Sequence, residues 1–269
     1  MKSKIQLFCF SLIGIGLLNA SEISARLKVE DTVGIWLFDE GRGKNAREMA
    51  GKGLDGELIN GPQWVNGKFG KAIRFDGQSQ FVEVNDPLNV GAFGASHSIS
   101  VWVNPAVTQK KHADMMGNHG KPGGYEIEQR GGEHNNFYFG MKINDTWQGG
   151  PWAGRPSTKI PDGEWSHFVV IRDTKTIKHY LNGKKTVEYK ISDNRVDDSE
   201  ANFLFGHSAC CAGRNFKGIL DEIVIFRIAL EADDIRALSN GVEGALHVES
   251  RGKLTTSWGK LKTHYSPTP

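Results

Sequence analysis

The chain has 269 residues, of which 38% are hydrophobic, 10% aromatic and 24% charged, with 33 glycines, 3 cysteines and a formal net charge of +2. That composition excludes collagen, a disulfide-dense toxin scaffold, a disordered acidic tail and a polytopic membrane protein. The length suits one large all-β domain or two smaller domains.

The first predicted element is an export signal. Lys2 and Lys4 precede an apolar run from Ile5 to Leu18, and Leu18-Asn19-Ala20 offers a small-residue cleavage site. This is the pattern of a secretory signal peptide over residues 1–20, and Ile23-Ser24-Ala25 offers a second exit that would extend it to residue 25. The alternative, a retained membrane anchor, is disfavoured because the run falls short of the ~20 apolar residues that span a bilayer. Cys9 sits inside the run rather than after it, which argues against a lipoprotein. The expected location is therefore exported: secreted, periplasmic or cell-surface associated. Without Lys2 and Lys4, 31 basic residues balance 31 acidic ones. No basic excess is left to neutralise phosphates, so nucleic acid is not an expected partner. No second stretch approaches membrane length.

The rest of the chain reads mainly with period two. Val33 to Phe38 is a short apolar run, and Phe69 to Phe75 and Gln80 to Val84 are strand-like around the turn signal Asp76-Gly77. Ser98 to Val103 alternates until Pro105, followed by Tyr125 to Glu128 and Phe137 to Ile143. Trp165 to Ile171 precedes a predicted hairpin, Thr176 to Leu181 and Thr186 to Tyr189, joined through Asn182-Gly183. Phe203 to Phe205 and Ile219 to Phe226 complete about a dozen strands, the spacing of a sandwich or barrel. One helix is predicted, over Leu230 to Leu238, with acids in its first turn and Gly241 beyond its end. From Gly244 the chain is more polar, and a strand followed by a frayed tail is expected.

The order of these pieces resembles the LamG-like jelly-roll family, the laminin G and pentraxin relatives in the concanavalin A-like lectin/glucanase superfamily. The resemblance rests on Trp36-Leu37-Phe38-Asp39-Glu40-Gly41, on Gly70 to Gly77 before Phe81-Val82-Glu83-Val84, and on Ser98 to Val103. It continues with Gly163-Glu164-Trp165-Ser166-His167-Phe168, Tyr180-Leu181-Asn182-Gly183, and Phe216 to Phe226 leading into Ala229-Leu230. These pieces cover residues 33–240. The resemblance implies an all-β, two-sheet antiparallel jelly-roll sandwich with one short C-terminal helix. The expected domain spans 27–241, with a polar extension over 242–269. Trp36, Trp102 and Trp165 are expected to fill the space between the sheets, and His167 to be a hydrogen-bonded structural residue.

A scaffold does not fix a function. Catalysis on this fold needs paired carboxylates. Glu126 and Glu128 have suitable alternate spacing on one strand face, but Glu-Ile-Glu is equally the pattern of a solvated face. No Gly-x-Ser-x-Gly elbow, His-Glu-x-x-His site or phosphate loop is present, so no enzymatic activity is expected. His97, His112, His119, His134 and His207 match no zinc template and are expected to be scattered surface residues. The resemblance implies a structural Ca²⁺, for which Asp39, Asp76 and Asp221 are candidate ligands; turn-capping is the competing role for each. Cys210 and Cys211 are adjacent in an exported chain. A vicinal disulfide in the loop between the Phe203 and Phe216 strands is expected, with free thiols or intermolecular pairing as alternatives.

The candidate ligand site is the glycine- and proline-rich stretch from Asn144 to Pro161. Trp147 and Trp152 lie there among polar residues and can stack on the apolar faces of sugars. Arg155, Asn144 and Asp145 can hydrogen-bond hydroxyls. A cap on the sandwich end is the alternative use of both tryptophans. The expected function is an exported, non-catalytic recognition domain for carbohydrate or a glycosylated extracellular surface. The alternatives are a protein–protein adhesion module and a glycoside hydrolase on the same fold.

Overall fold

The computed structural model describes residues 27–129, 135–150, 153–192 and 194–247. The expected export signal, His134, Trp152 and the tail from 248 lie outside them. In chain order the strands are β1 (Leu27–Lys28), β2 (Thr32–Trp36), β3 (Asn45–Ala46), β4 (Gly56–Ile59), β5 (Gln63–Asn66), β6 (Lys71–Asp76), β7 (Phe81–Val84), β8 (Ser96–Pro105) and β9 (Asp114–Gly117). They continue with β10 (Tyr125–Gln129), β11 (Asn136–Ile143), β12 (Thr146–Gly149), β13 (Thr158–Lys159), β14 (Ser166–Asp173) and β15 (Thr176–Leu181). The last are β16 (Lys184–Lys190), β17 (Phe203–Phe205), β18 (Lys217–Phe226) and β19 (Leu246–His247), with helices α1 (Ala232–Leu238) and α2 (Val242–Ala245) before β19.

Two antiparallel sheets form the jelly-roll sandwich. The nine-stranded sheet runs β12-β11-β10-β9-β17-β7-β4-β3, with β13 also on β11. The eight-stranded sheet runs β16-β15-β14-β8-β18-β6-β5, with β2 also on β18. Alternation drives the assembly. Val82 and Val84, Ile127, Phe137 and Phe139, Val101 and Val103, and Phe168 and Val170 point inward and build the main core. Asn182 takes φ 50° and Gly183 φ 77° in the β15–β16 turn, as the Asn-Gly pair predicts.

A second apolar cluster lies on the opposite face of the eight-stranded sheet. Ile35, Val169, Ile171, Val224 and Phe226 meet Leu230, Ile235 and Leu238 of the helical segment there. Val242, Ala245 and Leu246 join them, and β19 pairs with β1, so the packed chain runs past the expected boundary at 241. This covered face explains one correction. Trp102 alternates with the inward Val101 and Val103 and therefore packs outside the sandwich. Phe69 lies edge-on to it at 5.9 Å, the His167 ring is tilted against it at 5.3 Å, and the Lys68 ammonium sits 4.6 Å over its ring. Trp165 precedes β14 and is half-buried. Trp36 is buried in the main core as expected, and His167 shares a 2.8 Å hydrogen bond with the Ser100 hydroxyl. No helix of the described residues is long and apolar enough to cross a membrane.

Helices cover the outside of one sheet and leave the outside of the other for side chains of a different kind.

Candidate functional site

The outer face of the nine-stranded sheet carries a group of carboxylates that sequence reasoning found only in part. In β10, Tyr125 and Ile127 point into the core, so Glu126 and Glu128 point out. They are not a solvated face: Glu126 is 3% and Glu128 2% exposed. Asp114 joins them from β9. Glu126 pairs with Gly117 and Ile127 with Met116, but the register then slips and Glu128 pairs with Asp114. The bulge turns Met115 and Met116 both into the core and delivers Asp114 to the outer face, where uninterrupted alternation would have turned it toward the core. Ligand oxygens of Asp114, Glu126 and Glu128 lie within 4.8 Å of one another.

The surroundings hold these carboxylates in place. His112 Nδ1 is 2.8 Å from Glu128 Oε1, and His119 Nδ1 is 2.8 Å from Glu126 Oε2. Arg214 approaches Glu128 at 3.8 Å. Asp114 is fully desolvated and faces the charges of Glu126 and Glu128, which together raise its carboxyl well above the ordinary 3.8, with Ser208 and Arg214 opposing. Burial, followed by the Arg214 charge, depresses the His119 imidazole to about 4. Neither histidine is the scattered surface residue expected from sequence. His97 also departs from that expectation, being buried against Tyr125 and Phe139.

Beside this cluster lies Trp147. Asn144 and Asp145 do not open a long irregular loop. With φ of 50° and 59° they form the tight turn between β11 and β12, and their backbone N–H groups donate to the Asp197 carboxylate at 3.0 and 2.8 Å. Trp147 is thereby fixed in edge strand β12, opposite Lys142. Its ring meets His119 edge-on at 4.3 Å. It lies over Gly140, where a Cβ would come within 3.4 Å of it and 4.0 Å of Glu126 Cγ. The ring is half-buried. Arg155 turns to the flank instead, its guanidinium 5.3 Å over the Tyr189 ring. Asn144 and Asp145 are exposed, and Asp145 pairs with Lys142 at 2.5 Å. The structure thus brings Trp147, Asp145 and Lys142 to the carboxylate face, and sends Arg155 elsewhere.

The three acids expected to hold calcium are not brought together as a set: Asp221 lies near enough to Asp39 to feel its charge, but Asp76 stands apart from Asp39. Asp39 accepts from Lys71 N at 2.7 Å, and Asp76 accepts from the N–H groups of Gln78, Ser79 and Gln80. Lys71 and Asp76 are the two ends of β6, so these acids are roughly 17 Å apart at ~3.3 Å per residue and cannot share one ion. Asp221 accepts from Phe69 N at 3.0 Å. Burial, followed by the Phe69 N–H and the Glu222 charge acting in opposite senses, leaves Asp221 at about 7. These contacts are the turn and backbone-anchoring roles. Cys210 and Cys211 are disulfide-bonded to each other in the β17–β18 loop, which also contributes Ser208 and Arg214 to the carboxylate face.

No curated protein sequence matches the chain. Domain 4 of AbnA, a GH43 extracellular arabinanase from Geobacillus stearothermophilus solved with arabinotriose, superimposes with a TM-score of 0.57 at 21% identity, covering 76% of this chain and 96% of that one. The binding domain of Paraclostridial Mosquitocidal Protein 1 gives 0.62 at 18% identity, covering 83% of this chain and 57% of that one. The botulinum neurotoxin serotype D binding domain gives 0.60 at 13%, covering 80% and 53%. The chain thus spans little more than half of these toxin domains, and the likeness is one of fold. The family model Laminin_G_3, described as concanavalin A-like lectin/glucanases superfamily, matches residues 76–236. Matched over more than half its length by that model, and built as two packed antiparallel sheets, the chain belongs to the Laminin_G_3 family of that superfamily.

Proposed function

We propose that this protein is an exported, non-catalytic carbohydrate-recognition domain that binds glycan across the outer face of its nine-stranded sheet, at the β11–β12 edge. The observation that carries the reading is Trp147, a half-buried indole held on a sheet face by His119 and Gly140, with Lys142 and Asp145 beside it. An aromatic plane flanked by fixed hydrogen-bonding groups suits a pyranose or furanose ring, which has an apolar face and a polar rim. Asn144 and Asp145 are at the tip of the same hairpin, whereas Arg155, stacked on Tyr189, is not part of this rim. The arabinanase domain solved with arabinotriose supports the reading through shared fold. Glu126, Glu128 and Asp114 resemble the paired acids of a glycosidase in number. Their burial, with histidines bonded to both glutamates, suits a fixed structural role better than attack on a scissile bond.

A glycan array probed with the processed protein tests this. Binding to a subset of oligosaccharides is expected, with no release of reducing sugar from the bound ones. An array with no binding contradicts the recognition role, and sugar release abolished by Glu128→Gln contradicts the non-catalytic one.

A further inference from the structure

Asp114 is the outlier of the carboxylate group. It is 1% exposed, and neither carboxylate oxygen meets hydrogen-bond geometry, although the Ser208 hydroxyl is near enough to oppose the rise in its pKa. Buried polar groups are normally satisfied, and a carboxylate can accept several bonds. Here a β-bulge points an unsatisfied carboxylate at Glu126 and Glu128, whose oxygens lie within 4.8 Å. That separation has a meaning. Two oxygens on one ion at 2.3–2.6 Å lie no more than roughly 5 Å apart, and the three side chains meet that condition.

From this arrangement we propose that Asp114, Glu126 and Glu128 form a binding site for an oxygen-ligated divalent cation of the Ca²⁺ or Mn²⁺ class. Carboxylate oxygens select hard cations. His112 and His119, each 2.8 Å from one oxygen of Glu128 and Glu126, act as outer partners that fix the planes of the ligating carboxylates. The ion supplies the Asp114 carboxylate with a full partner. It would also rigidify the β9–β10 pair beneath Trp147, through His119. The site is separate from Asp39, Asp76 and Asp221, and it stands whether or not the outer face binds sugar.

The full chain, stripped with EDTA, is titrated with CaCl₂ and with MnCl₂ by calorimetry. One ion per chain is expected at this site, with Asp114→Asn weakening binding at least about tenfold and Asp39→Asn with Asp76→Asn leaving that event unchanged. A measurement on the unaltered protein guards against a variant that fails to fold. Substoichiometric Mn²⁺ should broaden the imidazole NMR signals of His112 and His119 before those of His179, which is in the sandwich interior. Saturating ion without heat, binding unaffected by Asp114→Asn in a folded variant, or broadening that spares both histidines would each overturn the proposal.

Discussion

Phe205→Ala is expected to cost about 3–5 kcal/mol of unfolding free energy, the range for deleting a buried aromatic ring. Phe205 is fully buried in β17, the short strand between β9 and β7 in the nine-stranded sheet. Its ring meets Trp36 at 5.1 Å, Phe38 at 5.7 Å and Phe203 at 5.1 Å, all in edge-to-face geometry. Trp36 comes from β2 of the opposite sheet, so this cluster joins the two layers, and its loss leaves a cavity that neither sheet can close alone. Val107, 61% exposed, serves as the control, and its alanine variant should shift stability by less than ~0.5 kcal/mol. Urea unfolding of the three proteins decides the matter. A Phe205→Ala loss below ~1.5 kcal/mol at unchanged m value would mean that this cluster does not hold the layers together.

The second large effect concerns binding. Trp147→Ala should lower affinity for an array-positive oligosaccharide by roughly thirtyfold, about 2 kcal/mol, as removal of a central aromatic anchor does. Folding should be little affected, because the ring is half-buried and lies outside the main core. Trp165→Ala provides the matched comparison. It removes another half-buried indole, but one that precedes β14 of the other sheet, so affinity should stay within twofold. Equal losses from the two variants would indicate a general effect of tryptophan removal and would move the ligand away from β12.

Much of the architecture was legible because period-two patterning and turn chemistry are local. Asn182-Gly183 marked its hairpin, and the alternation of Ser98 to Val103 marked strand β8. Two features were hidden for physical reasons. Trp102 was expected inside the sandwich because alternation says which residues share a face, not which face is inside. When helices cover the outer face as well, both sets are apolar. Asp114 was missed because a bulge inserts one residue and inverts the parity beyond it, and nothing in Asp114-Met115-Met116-Gly117 signals that slip. The site was half visible. Trp147 was singled out from sequence as a ligand contact or a core cap, and Glu126-Glu128 as a pair on one strand face, whereas Asn144-Asp145 was taken into a long loop because the glycines and prolines after it obscured an Asx-rich tight turn. The histidines could not be placed, since His112 and His119 reach their glutamates across strands that only the fold aligns.

The central claim is that ligand binds the outer face of the nine-stranded sheet at its β11–β12 edge. Amide hydrogen exchange, with and without a saturating array-positive oligosaccharide, tests it most directly. Slower exchange is predicted over Asn136–Gly149 and the neighbouring β10 strand, with α1 and the β15–β16 hairpin unchanged. Protection confined to the helical side of the eight-stranded sheet would contradict the account.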